Sequence, residues 1–224
     1  MKQIFFSFCI VLICCIITLP SVAKAKTLYP VQSELSIDDV ACRTYRATID
    51  GYNEQEHSLT ISIYDVESFP VTDVALLIPG DSIVITEKWT QAKKEILIQT
   101  IVYSENDLIC NINGQLSDTE IPIKLRLSNY GNLYQPEKYG IPIWTRIGTR
   151  SFNLSDQFLF LDGTTKTTHD PQDIPTVYTQ EEFFLLLEYP NEKEDVGFAL
   201  YNIYVVFNEK EELLILYRFF VDWQ

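Results

Sequence analysis

The residues of this 224-residue chain that chemistry would draw on are two histidines, five cysteines and a surplus of carboxylates, 31 Asp and Glu against 17 Lys and Arg. His57 stands in a polar stretch between Glu56 and Ser58. A general base there would need a positioned proton donor and an orienting acid, and only an adjacent glutamate is offered. His169, followed by Asp170 in the long polar stretch 162–175, is better placed, because loops on a rigid scaffold carry function disproportionately. There is no Gly-x-Ser-x-Gly elbow, and Ser151 and Ser155 have no histidine close in sequence. Glycoside hydrolysis needs two facing carboxylates, but among so many acids some pair always qualifies by count. Asp162-Gly163-Thr164 begins like a calcium loop without its alternating acids and closing glutamate. Cys42 and Cys110 with two histidines make a poor zinc set, since neither cysteine has a partner at ligand spacing. The expectation is therefore no catalytic residue, no metal and no cofactor.

Aromatic residues are the stronger signal. Tyr130, Tyr134 and Tyr139 cluster just before Trp144, and Tyr and Trp rings stack on sugars or anchor protein partners. Together with His169 these are the candidate ligand- or partner-binding residues.

The first 25 residues read as a targeting segment. Lys2 supplies a basic start, Ile4 to Leu19 an apolar run, Pro20 a break, and Ala23-Lys24-Ala25 the small residues of a cleavage site after Ala25. The apolar run falls short of the roughly 20 residues that span a bilayer comfortably. No other membrane insertion is expected. Such a short leader is of a bacterial kind, which points to the cell envelope or the extracellular space.

Three cysteines (Cys9, Cys14, Cys15) lie in the leader, so Cys42 and Cys110 remain as a pair that an oxidising compartment could join in a disulfide. Lys2 and Lys24 also lie there. The remainder carries 15 basic residues against 31 acids, a net charge of −16. Such a chain is repelled by phosphate backbones, which excludes nucleic acid as the expected partner.

The elements needed to position these residues are mostly strands. Tyr45–Tyr52 and Ser58–Asp65 read as a hairpin over a polar turn, and Leu59, Ile61 and Ile63 alternate with Thr60, Ser62 and Tyr64. Thr72 is placed to cap a short helix ended by Pro79-Gly80. Three β-branched runs follow, 82–86, 95–103 and 107–113. Five strands interrupted by a helical turn suggest a small SH3-like or OB-like barrel over 26–116. After a polar passage at 115–120, the stretch 117–224 reads as an α+β half with an antiparallel sheet. Thr179-Gln180-Glu181-Glu182 is a capping box that starts one helix, and 198–207 with 213–221 form a closing hairpin.

The fold class expected is thus mainly β with minor α. The function expected is that of an exported, acidic, non-enzymatic binding or structural protein with a protein or glycan partner. A secreted hydrolase built on carboxylates or His169, and a carbohydrate-binding module, are the alternatives.

Overall fold

The computed structural model describes residues 25–87, 90–104, 108–117, 119–129, 131–138, 140–163, 174–188, 198 and 202–219. Fourteen strands and two short helices run through them. The strands are β1 (Thr27–Leu28), β2 (Thr44–Asn53), β3 (Ser58–Val66), β4 (Phe69–Pro70), β5 (Ser82–Thr86), β6 (Lys93–Ser104), β7 (Ile109–Leu116), β8 (Thr119–Leu127), β9 (Leu133–Lys138), β10 (Ile141–Pro142), β11 (Trp144–Gly163), β12 (Thr176–Tyr178), β13 (Ile203–Phe207) and β14 (Leu213–Phe219). The helices are α1 (Val71–Val74) and α2 (Gln180–Glu188).

Two curled sheets share these strands. One runs β1-β5-β6-β7-β8-β9-β10, with β4 also on β9. The other runs β12-β11-β14-β13-β2-β3, and β3 pairs again with β11. That last pairing closes five strands on themselves. Closure is possible because β11, 20 residues long, serves two neighbours. Its first half runs antiparallel to β3 from Trp144↔Val66 to Asn153↔Ser58. Its second half runs parallel to β14 from Leu154↔Leu213 to Gly163↔Phe219.

The barrel expected over 26–116 is therefore corrected. β2 and β3 belong to the closed ring, while β5, β6 and β7 belong to the other sheet. Alternation identifies each strand and the face it buries, but it carries no information about a partner contributed from far along the chain, as β13 is to β2. Around residue 116, where composition suggests a boundary, β7 and β8 pair from Ile109↔Arg126 to Leu116↔Thr119. The chain stays within one sheet there.

The interior of the ring is filled by alternate residues: Tyr45 and Ala47 from β2, Leu59, Ile61 and Ile63 from β3, Phe152, Leu154, Phe158 and Phe160 from β11, Ile203, Val205 and Phe207 from β13, Leu216 from β14. Burying each large side chain contributes roughly 1.5–3 kcal/mol. Helix α2 adds Phe183, whose ring meets Phe158 at 5.4 Å and Phe160 at 5.1 Å. Its start is the expected capping box: Thr179 N–H donates to Glu182 Oε2 at 2.8 Å, and Glu182 N–H returns to Thr179 Oγ1 at 3.4 Å. The Thr179 N–H and the Thr179 hydroxyl, which donates to the same Oε2 at 3.0 Å, hold the Glu182 carboxyl below its usual range. Thr72 caps nothing, since α1 begins at Val71 after Pro70 and has no side-chain cap. Also inside lies an ion pair, Arg218 Nη2 to Asp162 Oδ2 at 2.8 Å.

The second core belongs to the other sheet and holds Phe69, Ile83, Ile96, Ile98, Cys110, Ile112, Ile123, Leu125 and Tyr134. Gly114 lies against Ile96, whose side chain a Cβ at that position would overlap. The chain leaves the ring after Val66 and re-enters at Trp144, and those two residues pair with each other. The exit is locked by Glu67, whose buried carboxylate accepts Thr86 N–H at 3.0 Å, Thr86 Oγ1 at 2.8 Å and Lys93 Nζ at 3.0 Å.

Candidate binding face and the cleft beside it

Inward residues on β2 and β3 leave their alternates on the outer face of the ring. Arg46, Thr48 and Asp50 come from β2, Ser62 and Tyr64 from β3, Trp144 and Thr149 from β11, and Tyr204 from β13. The register places Arg46 opposite Tyr204 on one side and Tyr64 on the other. Its guanidinium carbon lies 3.7 Å from the Tyr204 ring centre, 4.7 Å from Phe219 and 5.6 Å from Trp144. Tyr204 and Phe219 stack on each other at 5.4 Å, and Tyr217 continues the row at 5.9 Å. A planar guanidinium over ring faces is a cation–π arrangement, worth about 0.5–2 kcal/mol according to how dry it is. Burial among these rings pulls Arg46 below the usual guanidinium range.

Beside this platform runs a row of oxygens. Thr48 Oγ1 donates to Asp50 Oδ1 at 3.0 Å and Ser62 Oγ to Asp50 Oδ2 at 2.5 Å, while Ser62 also meets Thr149 Oγ1. Ser62 is fully buried and Asp50 is exposed. The row thus ends in a carboxylate facing water, on the strand that also carries the half-buried Arg46. Trp144 is fixed by a contact from the other sheet: Gln91 Nε2 donates to Trp144 C=O at 3.3 Å, and Arg146 N–H donates to Gln91 Oε1 at 2.8 Å.

A cleft of about 1190 Å³ lies where the two sheets meet, lined among others by Val31, Glu34, Ile37, Glu67, Lys93 and Arg146. Two of its carboxylates, Glu67 and Asp65, are committed to structure, while Glu34 is exposed. Glu67 accepts three bonds at the exit from the ring. Asp65 accepts Ser33 Oγ at 2.6 Å and the Val66 N–H at 2.8 Å.

Of the residues singled out in the sequence, Trp144 lies on the outer face of the ring. Tyr134 does not reach a surface: it is buried in the core of the other sheet, because β9 turns it inward opposite Phe69. Tyr130, Tyr139 and His169 lie outside the described residues. His57 is exposed, with Nδ1 against Gln180 Nε2 and its ring 6.3 Å from Phe184, so it ties the β2–β3 turn to α2. Cys42 and Cys110 are not joined; Cys42 is exposed ahead of β2, while Cys110 is buried in the other sheet. Burial pushes the Cys110 thiol up to about 11, against a bond with Tyr103 that lowers it.

Arg46, Tyr204 and Phe219 have no motif that announces them. Alternation within 45–52 marks Arg46 as outward, but its aromatic partners stand on strands far along the chain. Among the described residues, no group of three or more metal-ligating side chains gathers, and no helix is long and apolar enough to cross a membrane. Comparison with protein-family models, curated proteins and solved structures returns no match to this chain.

Proposed function

We propose an exported, non-enzymatic binding protein of the cell envelope or extracellular space, whose ring is a barrel of the OB type and whose ligand lies on the outer face of that ring, around Arg46. Supporting the barrel type is the strand order. Numbering β2, β3, β11, β13 and β14 one to five, the closed order is 1-2-3-5-4-1, with the third and fifth parallel. Helix α2 lies between the third and fourth. Barrels of that type present strands two and three and adjoining loops to oligonucleotides or oligosaccharides. The acidic balance of this chain, −14 overall, disfavours the former. The ligand class proposed is therefore a saccharide.

The observation that carries the reading is Arg46 held over Tyr204 and Phe219 beside Trp144, next to the Thr48–Asp50–Ser62 oxygens. Ring faces suit the apolar side of a sugar, while a guanidinium and a carboxylate suit its hydroxyls. Titration calorimetry of the exported protein against a panel of soluble oligosaccharides tests it. Arg46→Ala is expected to weaken a detected interaction about tenfold or more, the size of a hot-spot loss. Equal affinity in wild type and variant, with both folded, would remove the face from consideration.

A further inference from the structure

We infer that cleavage after Ala25 creates an ion pair on a buried carboxylate: the new α-ammonium of Lys26 docks on Asp81 and fastens the amino terminus to the sheet. This rests on the proposed export reading, which supplies the cut.

The Lys26 backbone nitrogen already lies 2.8 Å from Asp81 Oδ1, and Asp81 is only 5 % exposed. Its other oxygen accepts Ile78 N–H at 3.0 Å. In the uncut chain both donors are neutral amides. The residues that follow are held without slack. Lys26 C=O accepts Ser82 N–H at 2.8 Å, Thr27 and Leu28 pair with Ser82 and Ile83, Thr27 Oγ1 donates to Glu95 Oε1 at 3.0 Å, and Leu28 is buried in the core. The small-residue cleavage pattern Ala23-Lys24-Ala25 ends one bond before this anchored stretch.

Hydrolysis of the Ala25–Lys26 peptide bond by an exporting endopeptidase consumes one water. Ala25 leaves as a carboxylate, and the Lys26 nitrogen gains a proton to become –NH₃⁺. A neutral donor beside a shielded carboxylate thereby becomes a charged one, and charge-assisted bonds are about twice as strong as neutral ones. An ammonium so paired has its pKa raised, so its stabilisation is full below the ordinary α-amino value and is lost as pH rises through the raised one.

The test uses the full chain, expressed with its leader and recovered from the exported fraction. Intact mass identifies the first residue; any residue other than Lys26 overturns the processing reading, and the pairing with it. On material beginning at Lys26, the pH dependence of α-amino acylation is followed on the amino-terminal peptide. The pairing predicts titration at about pH 9 or higher, against about 7.7–8.0 for an ordinary α-amino group, and a return to the ordinary value in Asp81→Asn. A second variant, with one glycine inserted between Ala25 and Lys26 and cut before that glycine, leaves Asp81 intact and moves the ammonium away. It should also titrate normally. An ordinary value in the wild type overturns the pairing while leaving the cleavage in place.

Discussion

At the scale of single residues, environment decides what each chemically able group does. Cys110 sits in a core that pushes its thiol up to about 11, whereas Cys42 faces solvent. Only the thiolate reacts, so native protein prepared without residues 1–25 and treated with iodoacetamide at pH 8 should take one label, at Cys42, and a second only in denaturant. Mass spectrometry of the two peptides checks this; prompt labelling of Cys110 would show that its core opens. The sequence shows two cysteines after residue 25 and nothing of their separation, because a disulfide depends on which strands become neighbours. Trp144 and Tyr134 illustrate the same limit. Both are aromatic residues near turns, yet the register of β9 with β4 buries one and that of β11 with β3 places the other on the outer face.

At the scale of elements, local signals were the most readable. The capping box at Thr179, the hairpin β2–β3 and the hairpin β13–β14 all follow from residues close in sequence. The closing hairpin is central, as its apolar composition suggests, with β14 between β13 and β11. Its inward face holds Leu216, fully buried, while Tyr217 and Phe219 join the outer row of rings. Leu216→Ala should cost about 2–5 kcal/mol through lost burial and the cavity left behind. Lys210→Ala, in the exposed turn 208–212, should stay within about 0.5 kcal/mol of wild type. Paired denaturant melts decide it, and a wild-type midpoint for Leu216→Ala would mean that the ring interior is not the core of the molecule. The strand β11 was the least readable element. Nothing in its sequence marks one continuous strand, since Gly148 interrupts the apolar pattern, yet it runs from Trp144 to Gly163 and serves two neighbours.

At the scale of the molecule, the ring is assembled from two stretches, 44–66 and 144–219, with the other sheet, apart from β1, inserted between them. Closure of this kind pairs residues far apart in sequence, which periodicity cannot report and which slows folding. Glu67 is the seam where the chain leaves the ring, and truncating it strands the buried Thr86 N–H without its acceptor and leaves the Thr86 hydroxyl only Thr145 Oγ1 as acceptor. Glu67→Ala should therefore destabilise by about 1–3 kcal/mol for each buried donor left unmatched, lowering the melting temperature by several degrees in a thermal scan. An unchanged melting temperature would mean that the two sheets are not coupled through this point. The central claim, that the outer face of the ring binds the ligand, is tested most directly by mapping the contact itself. With a saccharide hit in hand, NMR shift perturbations of the isotope-labelled protein should concentrate on Arg46, Thr48, Asp50, Trp144 and Tyr204. Perturbations concentrated instead on Val31, Glu34, Lys93 and Arg146 would place the ligand in the cleft between the sheets and contradict the account.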